Sequence, residues 1–199
     1  MATEVLEQSV LPGRKEQILS AAARLFRKKG FPSTTVRMIA SELGMEAASL
    51  YNHMASKQEL LKNLLFPVAT AFTRGMEKIM AGKGSPVEKL EKLVLLHVEL
   101  AMKHPDAVAL ILGEWIHLEE PDLQAFIRMR TEYENSFKKI LEQGMNSGLL
   151  HHADPDLAVF SILSTLHALP NRLSRHPGIS AEKLKSELVK SLLHGLVRN

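Results

Sequence analysis

The sequence predicts an all-α protein, and two features of the chain support this prediction. Apolar residues recur with the 3.6-residue period of amphipathic helices along almost the whole chain, and the periodic segments are bounded by capping residues, Pro or Gly. No segment alternates apolar and polar residues with a period of two, and no cluster of β-branched residues lies between turn signals. We therefore expect roughly nine or ten helices and no sheet in the 199 residues.

Composition narrows the class of protein. The chain has no cysteine, which excludes disulfides and cysteine-ligated zinc and fits a reducing compartment. No apolar run reaches the roughly 18 residues of a transmembrane helix, and the first residues lack the apolar core of a secretory signal. We expect a cytoplasmic protein with no membrane partner, which begins with a flexible tail over residues 1–13.

Charge is unevenly distributed along the chain. The whole sequence has 25 Lys and Arg against 22 Asp and Glu, a net charge of +3. Residues 1–63 alone contain nine of these bases and six of these acids, and 9 − 6 = +3, so the remaining residues are neutral overall. An excess of positive charge confined to one third of the chain favours a polyanion as the partner of that third.

Three short helices are predicted over residues 14–63. The first is amphipathic and ends at Gly30 behind three basic residues, the second starts at a cap formed by Ser33 or Thr34, and the third follows a turn at Gly44. Glycine at this turn tolerates a positive φ. Residues 34–53 have the spacing of a helix-turn-helix motif, which places a recognition helix in the DNA major groove. The expected helices cover residues 14–29, 34–43 and 46–53.

Longer helices follow, and most begin at recognisable caps. Ser56 and Ser85 open capping boxes, Asp154 precedes a Pro at the first helical position, and Ser180 caps the last helix. Pro67 lies inside the first of these helices and predicts a kink or a local break. The predicted helices cover residues 56–80, 85–102, 105–118, 121–147, 154–169 and 180–196, nearly all within a second domain over residues 64–199.

The segment ILSAAARLFRKKGFPSTTVRMIASELGMEAASLYNHMASKQELL resembles the DNA-binding domain of the TetR (tetracycline-repressor-like) family of transcriptional regulators. The resemblance covers residues 14–63, and its matching positions are Ile18, Ala21, Ala22, Leu25, Phe26, Gly30, Phe31, Thr34, Thr35, Ile39, Ala40, Gly44, Ser49, Leu50, Tyr51, His53 and Lys57. It implies a homodimer that binds a pseudo-palindromic operator in double-stranded DNA. It also implies a larger helical domain for ligand binding and dimerisation, and release by a small molecule.

The helix-turn-helix geometry assigns expected contacts to the DNA-binding residues. Thr34 or Thr35, at a helix N-terminus, is expected to bind phosphate through its hydroxyl and backbone N–H. The other expected contacts to the DNA backbone are Arg37, Tyr51, His53 and Lys57, and the expected contacts to base edges are Ala47, Ala48, Ser49 and Asn52. The alternative for Tyr51 is a ring packed between helices, and the alternative for Arg37 is a solvated helix face.

The recognition helix departs from the family's common pattern in its first turn. The family often has a Ser or Thr cap followed by Lys and Gly, whereas this chain has Glu46, Ala47 and Ala48. The Lys that would contact a base or a phosphate is therefore missing. Glu46 would repel phosphate unless it caps its own helix or accepts a hydrogen bond from a cytosine amine, so the operator sequence stays open.

The second domain is rich in apolar residues and carries a few polar side chains on apolar helix faces. A largely apolar cavity with a few polar anchors is the usual form of a ligand pocket. The candidate lining residues are His97, Met102, Leu112, Trp115, His117, Tyr133 and Phe137. The alternative for each of them is an ordinary core position. The spacing of the histidines matches no zinc pattern, so we expect no metal and no cofactor.

The dimer interface is expected on two helices. A helix that is apolar around its whole circumference must be covered on all sides, and residues 157–169 form such a helix. With the helix of residues 126–141 it predicts a two-fold four-helix interface made by Phe126, Tyr133, Leu141, Phe160, Leu163 and Leu166. Two DNA-reading units would then lie about 34–36 Å apart, one helical turn of DNA, or further apart if the linker helices splay.

We expect a ligand-responsive transcriptional regulator, in the first instance a repressor. The alternatives are an activator or a regulator without a small-molecule effector, and an α-helical enzyme that uses His97 or Glu114 as a base. The sequence has no paired carboxylates at a useful spacing, no nucleophile motif and no cofactor loop, so we do not expect an enzyme. The aliphatic second domain indicates a small hydrophobic or amphipathic effector, and HVELAMKHPDAVALILGEW resembles regulators of fatty-acid or aromatic-acid breakdown that sense acyl-CoA.

Overall fold

The computed structural model describes residues 13–176, 178–193 and 195–197. Within these residues the chain forms ten α-helices and one 3-10 helix, with one isolated β-bridge between Leu150 and Val197, so the prediction of an all-α fold is confirmed. The tail predicted over residues 1–13 lies outside the described residues except for Gly13. No helix in the described segments is both long and apolar enough to cross a membrane.

The helices follow one another with short connections. They are α1 Arg14–Lys29, α2 Val36–Glu42, α3 Ala47–Tyr51, α4 Lys57–Ala81, α5 Pro86–Lys103, α6 Pro105–Gly113, the 3-10 helix Glu114–His117, α7 Asp122–Asn146, α8 Pro155–His167, α9 Leu169–Arg175 and α10 Ala181–Leu193. Helix α3 is shorter than predicted at both ends. The segment after α6 tightens into the 3-10 helix instead of continuing as α-helix to residue 118.

Side-chain caps fix where several helices begin. The Ser85 hydroxyl accepts a hydrogen bond from the Glu88 backbone nitrogen at 3.3 Å, and the Glu88 carboxylate accepts one from the Ser85 backbone nitrogen at 2.7 Å. This pair is the predicted capping box. The cap of α2 is Thr35, whose hydroxyl accepts a hydrogen bond from the Met38 backbone nitrogen. The predicted caps, Ser33 and Thr34, do not have this role. The predicted caps at Asp154 and Ser180 are present. Ser56 caps α4, but the predicted capping box is incomplete, because the Glu59 carboxylate accepts from the Ala55 backbone nitrogen instead of that of Ser56.

Helix α4 contains Pro67 and runs through it without interruption, so the predicted local break is wrong. Pro67 is exposed, whereas its neighbours Leu64, Leu65 and Val68 are buried. The missing N–H costs one hydrogen bond on the solvent side, and the packed apolar face keeps the helix continuous. At 25 residues the helix spans about 37 Å, long enough to connect the N-terminal helices to the rest of the molecule.

Two hydrophobic clusters are present, and α4 contributes to both. The first is built mainly by α1 to α4, and it also contains Leu110, Leu118 and Phe126 from the second predicted domain. The second is built by the remaining helices around Val98, Phe137 and other fully buried side chains. The helices of residues 14–63, called the head below, therefore pack directly on the remainder, called the body. The limits of the two domains at residues 63 and 64 stay a prediction.

Helix α8 has one face that the rest of its own chain leaves open, and the coverage of this face by a second copy of the helix stays a prediction. Leu157 and Phe160 are 65% and 68% exposed, whereas Ile162, Leu163 and Leu166 on the other side are buried. The helix ends at His167, and Pro170 lies in the first turn of the next helix. The exposed pair leaves an apolar strip on the body surface.

Candidate nucleic-acid interface and internal cavity

The turn between α2 and α3 sets the position of the recognition helix. Gly44 has a φ of 63°, the left-handed conformation predicted for this turn, which glycine adopts without steric cost. The Met45 backbone nitrogen donates to the Ala40 carbonyl at 3.0 Å and closes the turn. Leu50, only 1% exposed, anchors α3 in the head cluster. The opposite face of α3 is thereby held towards solvent.

The open face carries most of the side chains that we expect to contact DNA. Tyr51 is 54% exposed, so the alternative of a ring packed between helices does not apply. Ala47 and Ser49 are half-buried, and Ala47 packs against the head cluster. The exposed members of the predicted set are Thr35, Arg37, Ala48, Tyr51, Asn52 and His53. Their contacts with DNA stay a prediction.

Thr34 does not belong to this face. Its side chain is fully buried, and its hydroxyl donates to the carbonyl oxygens of Gly30 at 2.9 Å and Leu25 at 3.3 Å. A hydroxyl turned into the end of α1 cannot reach a phosphate, so the expected phosphate contact of Thr34 is corrected. Thr35, exposed at the N-cap of α2, is the threonine that remains available.

Lys57 is also turned inwards. Its Nζ donates to the carbonyl oxygens of Phe31 and Thr34, both at 2.9 Å, and lies 4.1 Å from the centroid of the Phe31 ring. Both hydrogen bonds and the cation–π contact hold the loop before α2 against the start of α4. The expected contact of Lys57 with the DNA backbone is corrected to a contact within the head.

Two carboxylates near the recognition helix have different environments. Glu42 forms an ion pair with Arg24 at 2.7 Å, which ties α2 to α1. Glu46 occupies the N-cap position of α3, is exposed, and makes no side-chain capping hydrogen bond. The Glu46 carboxylate therefore does not cap its own helix, and a hydrogen bond from a cytosine amine is the remaining role considered for it. Its negative charge lies at the start of the predicted recognition helix.

A cavity with an open mouth lies inside the body between α4, α5, α6, α7 and α8. Three of the predicted residues line it: His97, Leu112 and Tyr133. Met102 and Phe137 do not line the cavity. Met102 is 38% exposed on α5, and Phe137 is fully buried in the body cluster. Trp115 lies one layer behind the wall, with its ring 6.2 Å from that of the lining residue Phe126.

Uncharged polar groups lie at the inner end of the cavity. His97 is 4% exposed, and its Nδ1 lies 2.9 Å from the Leu93 carbonyl oxygen. Burial lowers the pKa of His97 to about 4, so the ring is neutral near pH 7. The Tyr133 hydroxyl is buried, has no hydrogen-bond partner among the described residues, and has a pKa raised by burial. This end of the cavity therefore carries no charge.

Charged groups lie at the mouth of the cavity, at positions that sequence reasoning did not predict as a site. Arg130 pairs with Glu134 at 3.3 Å, and their side chains are 37% and 46% exposed. The mouth opens into a neighbouring groove between α7 and α8, where Lys138 pairs with Asp156 at 2.7 Å. Arg130 and Glu134 are one turn apart on a helix whose polar residues look like an ordinary solvated face. Only the position of α8 shows that they border a cavity.

Most residues predicted for a dimer interface are inside the chain. Phe126, Leu141 and Leu166 are at most 1% exposed, Leu163 is 6% exposed, and Tyr133 lines the cavity. These assignments are corrected, because the helices of one chain already cover them. Phe160 is the only member of the predicted set with a large exposed area.

Several contacts that the sequence did not predict join the head to the wall of the cavity. The Phe31 backbone nitrogen donates to Glu114 of the 3-10 helix at 3.0 Å, and the His117 ring stacks on the Phe31 ring at 5.7 Å. His117 thus faces the head and not the cavity. On the other side of the same 3-10 helix, the Arg130 guanidinium lies 4.8 Å from the centroid of the Trp115 ring. The 3-10 helix therefore contacts both sites.

Comparison with known proteins assigns most of the chain to two domain families. Residues 18–64 match the model for bacterial regulatory proteins of the tetR family. Residues 83–196 match the model for the tetracyclin repressor-like C-terminal domain, and this match alone covers more than half of the chain.

Two of the curated relatives of the chain are a transcriptional regulator and a transcriptional repressor. The uncharacterized HTH-type transcriptional regulator YerO of Bacillus subtilis is 28% identical over 195 residues. This alignment covers 94% of the chain and 66% of YerO, so the chain spans about two thirds of that relative's length. The HTH-type transcriptional repressor KstR2 of Mycobacterium tuberculosis is 29% identical over 147 residues, which are 73% of this chain and 72% of KstR2.

Solved structures share the fold. The structure of the ketosteroid transcriptional regulator KstR2 of Mycobacterium tuberculosis matches 96% of this chain and 98% of its own, with a TM-score of 0.87 at 24% identity. The structure of AibR in complex with isovaleryl coenzyme A and operator DNA matches 90% of this chain and 97% of its own, with a TM-score of 0.75 at 22% identity. At these identities the likeness concerns the fold alone.

Proposed function

Because the chain belongs to the tetracycline-repressor family of DNA-binding transcriptional regulators, we propose that it is a cytoplasmic repressor released from DNA by a small hydrophobic or amphipathic effector. It binds a pseudo-palindromic operator as a homodimer. The observation that carries this proposal is the 3-10 helix of residues 114–117, which contacts the loop before the helix-turn-helix and the wall of the cavity.

The open face of the head is suited to DNA. Thr35 at the N-terminus of α2, with Arg37, Tyr51 and His53, contacts phosphates in this proposal. Base edges are contacted by Ala47, Ala48, Ser49 and Asn52, whose small size lets α3 approach the floor of the major groove. Since the direct base contacts are few, specificity depends on two heads binding two half-sites together.

The route from effector to DNA follows named contacts. An effector that displaces Arg130 at the mouth of the cavity removes its contact with Trp115. Movement of the 3-10 helix then acts on Phe31 through Glu114 and His117, and on the loop that Lys57 holds. Such a two-state element is what coupling between two sites requires, because the effector must bind one head arrangement more tightly than the other.

An acyl-CoA is our candidate effector. The cavity accepts an apolar acyl group, and the groove beyond its mouth offers Arg130 and Lys138 to phosphates. AibR, which shares the fold, is known in complex with isovaleryl coenzyme A and operator DNA. The aliphatic lining favours acyl groups over highly polar ligands.

The proposal is tested by fluorescence anisotropy with DNA from the intergenic region upstream of the gene. A dimer with a preferred site and a steep salt dependence is expected, and Ser49→Ala with Asn52→Ala lowers specific affinity while the fold persists. Isovaleryl-CoA and decanoyl-CoA are then added, and release of the operator is expected from at least one. Equal affinity for this region and random DNA contradicts the operator, and retention of DNA with both compounds contradicts an acyl-CoA effector.

A further inference from the structure

The Tyr133 hydroxyl is a buried polar group without a partner. No other buried side-chain nitrogen or oxygen of the described residues lacks a hydrogen bond, which makes this atom exceptional. A tyrosine hydroxyl that is removed from water usually finds an acceptor within the protein. Tyr133 lines the cavity, so a ligand bound there can supply the missing acceptor.

No neighbour of Tyr133 among the described residues accepts a hydrogen bond from its hydroxyl. The Phe72 and His97 rings lie 6.0 and 5.8 Å from its ring, in edge-to-face arrangements. The Thr73 hydroxyl in the same wall donates to the Ala69 carbonyl of its own helix at 3.0 Å and makes no hydrogen bond with Tyr133. The Tyr133 hydroxyl is therefore held by apolar and aromatic contacts alone.

His97 adds a second polar atom of fixed character. Because its Nδ1 faces the Leu93 carbonyl oxygen at 2.9 Å, the proton of the neutral ring lies on Nδ1. The ring that lines the cavity then presents Nε2 as an acceptor. A ligand hydroxyl can donate to that nitrogen while its oxygen accepts from Tyr133, and a ligand carbonyl can use Tyr133 alone.

We propose that the cavity takes an apolar ligand whose buried part carries an uncharged oxygen, a hydroxyl or a carbonyl such as that of a thioester, which accepts a hydrogen bond from Tyr133. This inference rests on the proposed effector cavity and specifies the chemistry of its occupant. A carboxylate does not suit the inner end, because it would lose its hydration without gaining a cation. Arg130, the charged donor of the cavity wall, lies at the exposed mouth, so a charged group of the ligand stays there.

The test measures the binding of decane, 2-decanone and decanoate to the purified protein without DNA. The single tryptophan reports binding by fluorescence, because Trp115 stacks on the lining residue Phe126. Tyr133→Phe removes only the unpartnered hydroxyl, so its melting temperature is expected to stay equal to or above that of the wild type. Tyr51→Phe, at the only other tyrosine, lies outside the cavity and is the control for ligand binding.

Tyr133→Phe is expected to raise the Kd of 2-decanone about tenfold, while the Kd values of decane and decanoate stay within about twofold. Tyr51→Phe leaves all three Kd values unchanged. An unchanged Kd for 2-decanone overturns the inference and leaves the effector cavity intact, and an equal loss for decanoate overturns the requirement for an uncharged oxygen. If no probe binds the wild type, the cavity fails as an effector site, whereas operator binding is decided separately by anisotropy.

Discussion

The guanidinium of Arg27 in the head lies 2.8 Å from the carboxylate of Asp106 in the body. Arg27 also donates to the Pro170 carbonyl oxygen at 3.1 Å, so one side chain of α1 contacts both α6 and α9. The pair is half-buried, with side-chain exposures of 22% and 36%. Its contribution to stability is therefore that of a partly screened ion pair.

A double-mutant cycle on this pair is expected to give a coupling free energy of about 0.5–1 kcal/mol. The variants are Arg27→Gln, Asp106→Asn and the double variant, compared by urea denaturation. The cycle is needed because Asp106 lies in the first turn of α6, where its charge also interacts with the helix dipole. Additive effects of the two single changes would mean that the pair does not stabilise the junction.

Lys57 and Arg37 are expected to behave differently although both are bases of the head. Lys57→Met should lower the free energy of unfolding by about 1–2 kcal/mol, because two loop carbonyls lose a charged donor. Arg37→Gln should change stability by less than about 0.5 kcal/mol but reduce the slope of log K against log salt by about one. Urea denaturation measures the free energy of unfolding of each variant, and anisotropy at several salt concentrations measures the salt slope of its DNA binding. A reduced salt slope in Lys57→Met would return that residue to the DNA-contact set.

Glu46 is expected to weaken DNA binding. Glu46→Gln should raise the affinity for specific and for random DNA alike by about three- to tenfold. The substitution removes the negative charge of an exposed carboxylate that makes no capping hydrogen bond and would lie next to phosphates. Anisotropy with both DNAs measures the effect, and Glu119→Gln, an exposed carboxylate of the body, is the control. A selective loss of operator affinity would indicate instead that Glu46 accepts a hydrogen bond from cytosine.

Phe160 is expected to be at the centre of the homodimer interface. Phe160→Glu should raise the dimer dissociation constant roughly a hundredfold, because an unpaired charge would be buried between two copies of α8. Sedimentation velocity measures the change, and operator affinity should fall with it. Ile116→Glu is the matched control, since Ile116 is 58% exposed but lies in the 3-10 helix. Dimers of unchanged stability in Phe160→Glu would move the interface away from this strip.

The stability of the protein is expected to fall on acidification through the titration of His97. Burial lowers the pKa of His97 to about 4 in the folded protein. In the unfolded chain its pKa is about 6.5, the ordinary value for histidine. Between these values the unfolded state binds the extra proton, so the free energy of unfolding decreases by up to about 1.4 kcal/mol per pH unit as the pH falls.

His97→Gln should remove this component and give a shallower pH dependence between about pH 6.5 and pH 4. Urea denaturation of both proteins across this window provides the comparison, because the contribution of the carboxylates is common to both. His152→Gln, at an exposed histidine, controls for the loss of an imidazole. Parallel curves for His97→Gln and the wild type would show that His97 is charged inside the fold.

Local sequence patterns were sufficient to predict where most helices run and to which family the chain belongs. Apolar periodicity, Ser and Asp caps and the turn at Gly44 depend on residues within one or two turns of each other, so the sequence contains them directly. The same patterns identified the face of α3 around Ala48 and Asn52, because the buried anchor Leu50 fixes the opposite side. The local break considered at Pro67 did not occur, since the packed face of a long helix outweighs one missing hydrogen bond, whereas the alternative of a kink stays a prediction.

The sequence by itself determined that this is an all-α chain with a helix-turn-helix head, and it bounded the candidate residues. Only the tertiary structure decided which of two adjacent threonines is exposed, since Thr34 bonds to the end of α1 and Thr35 caps α2. It likewise placed Phe126 in the core and Phe160 on the surface, and brought Arg130 to the mouth of the cavity. The physical reason is that a helix shows which residues are apolar, whereas the neighbours packed against it determine which apolar or polar side chains meet solvent, a cavity or another helix.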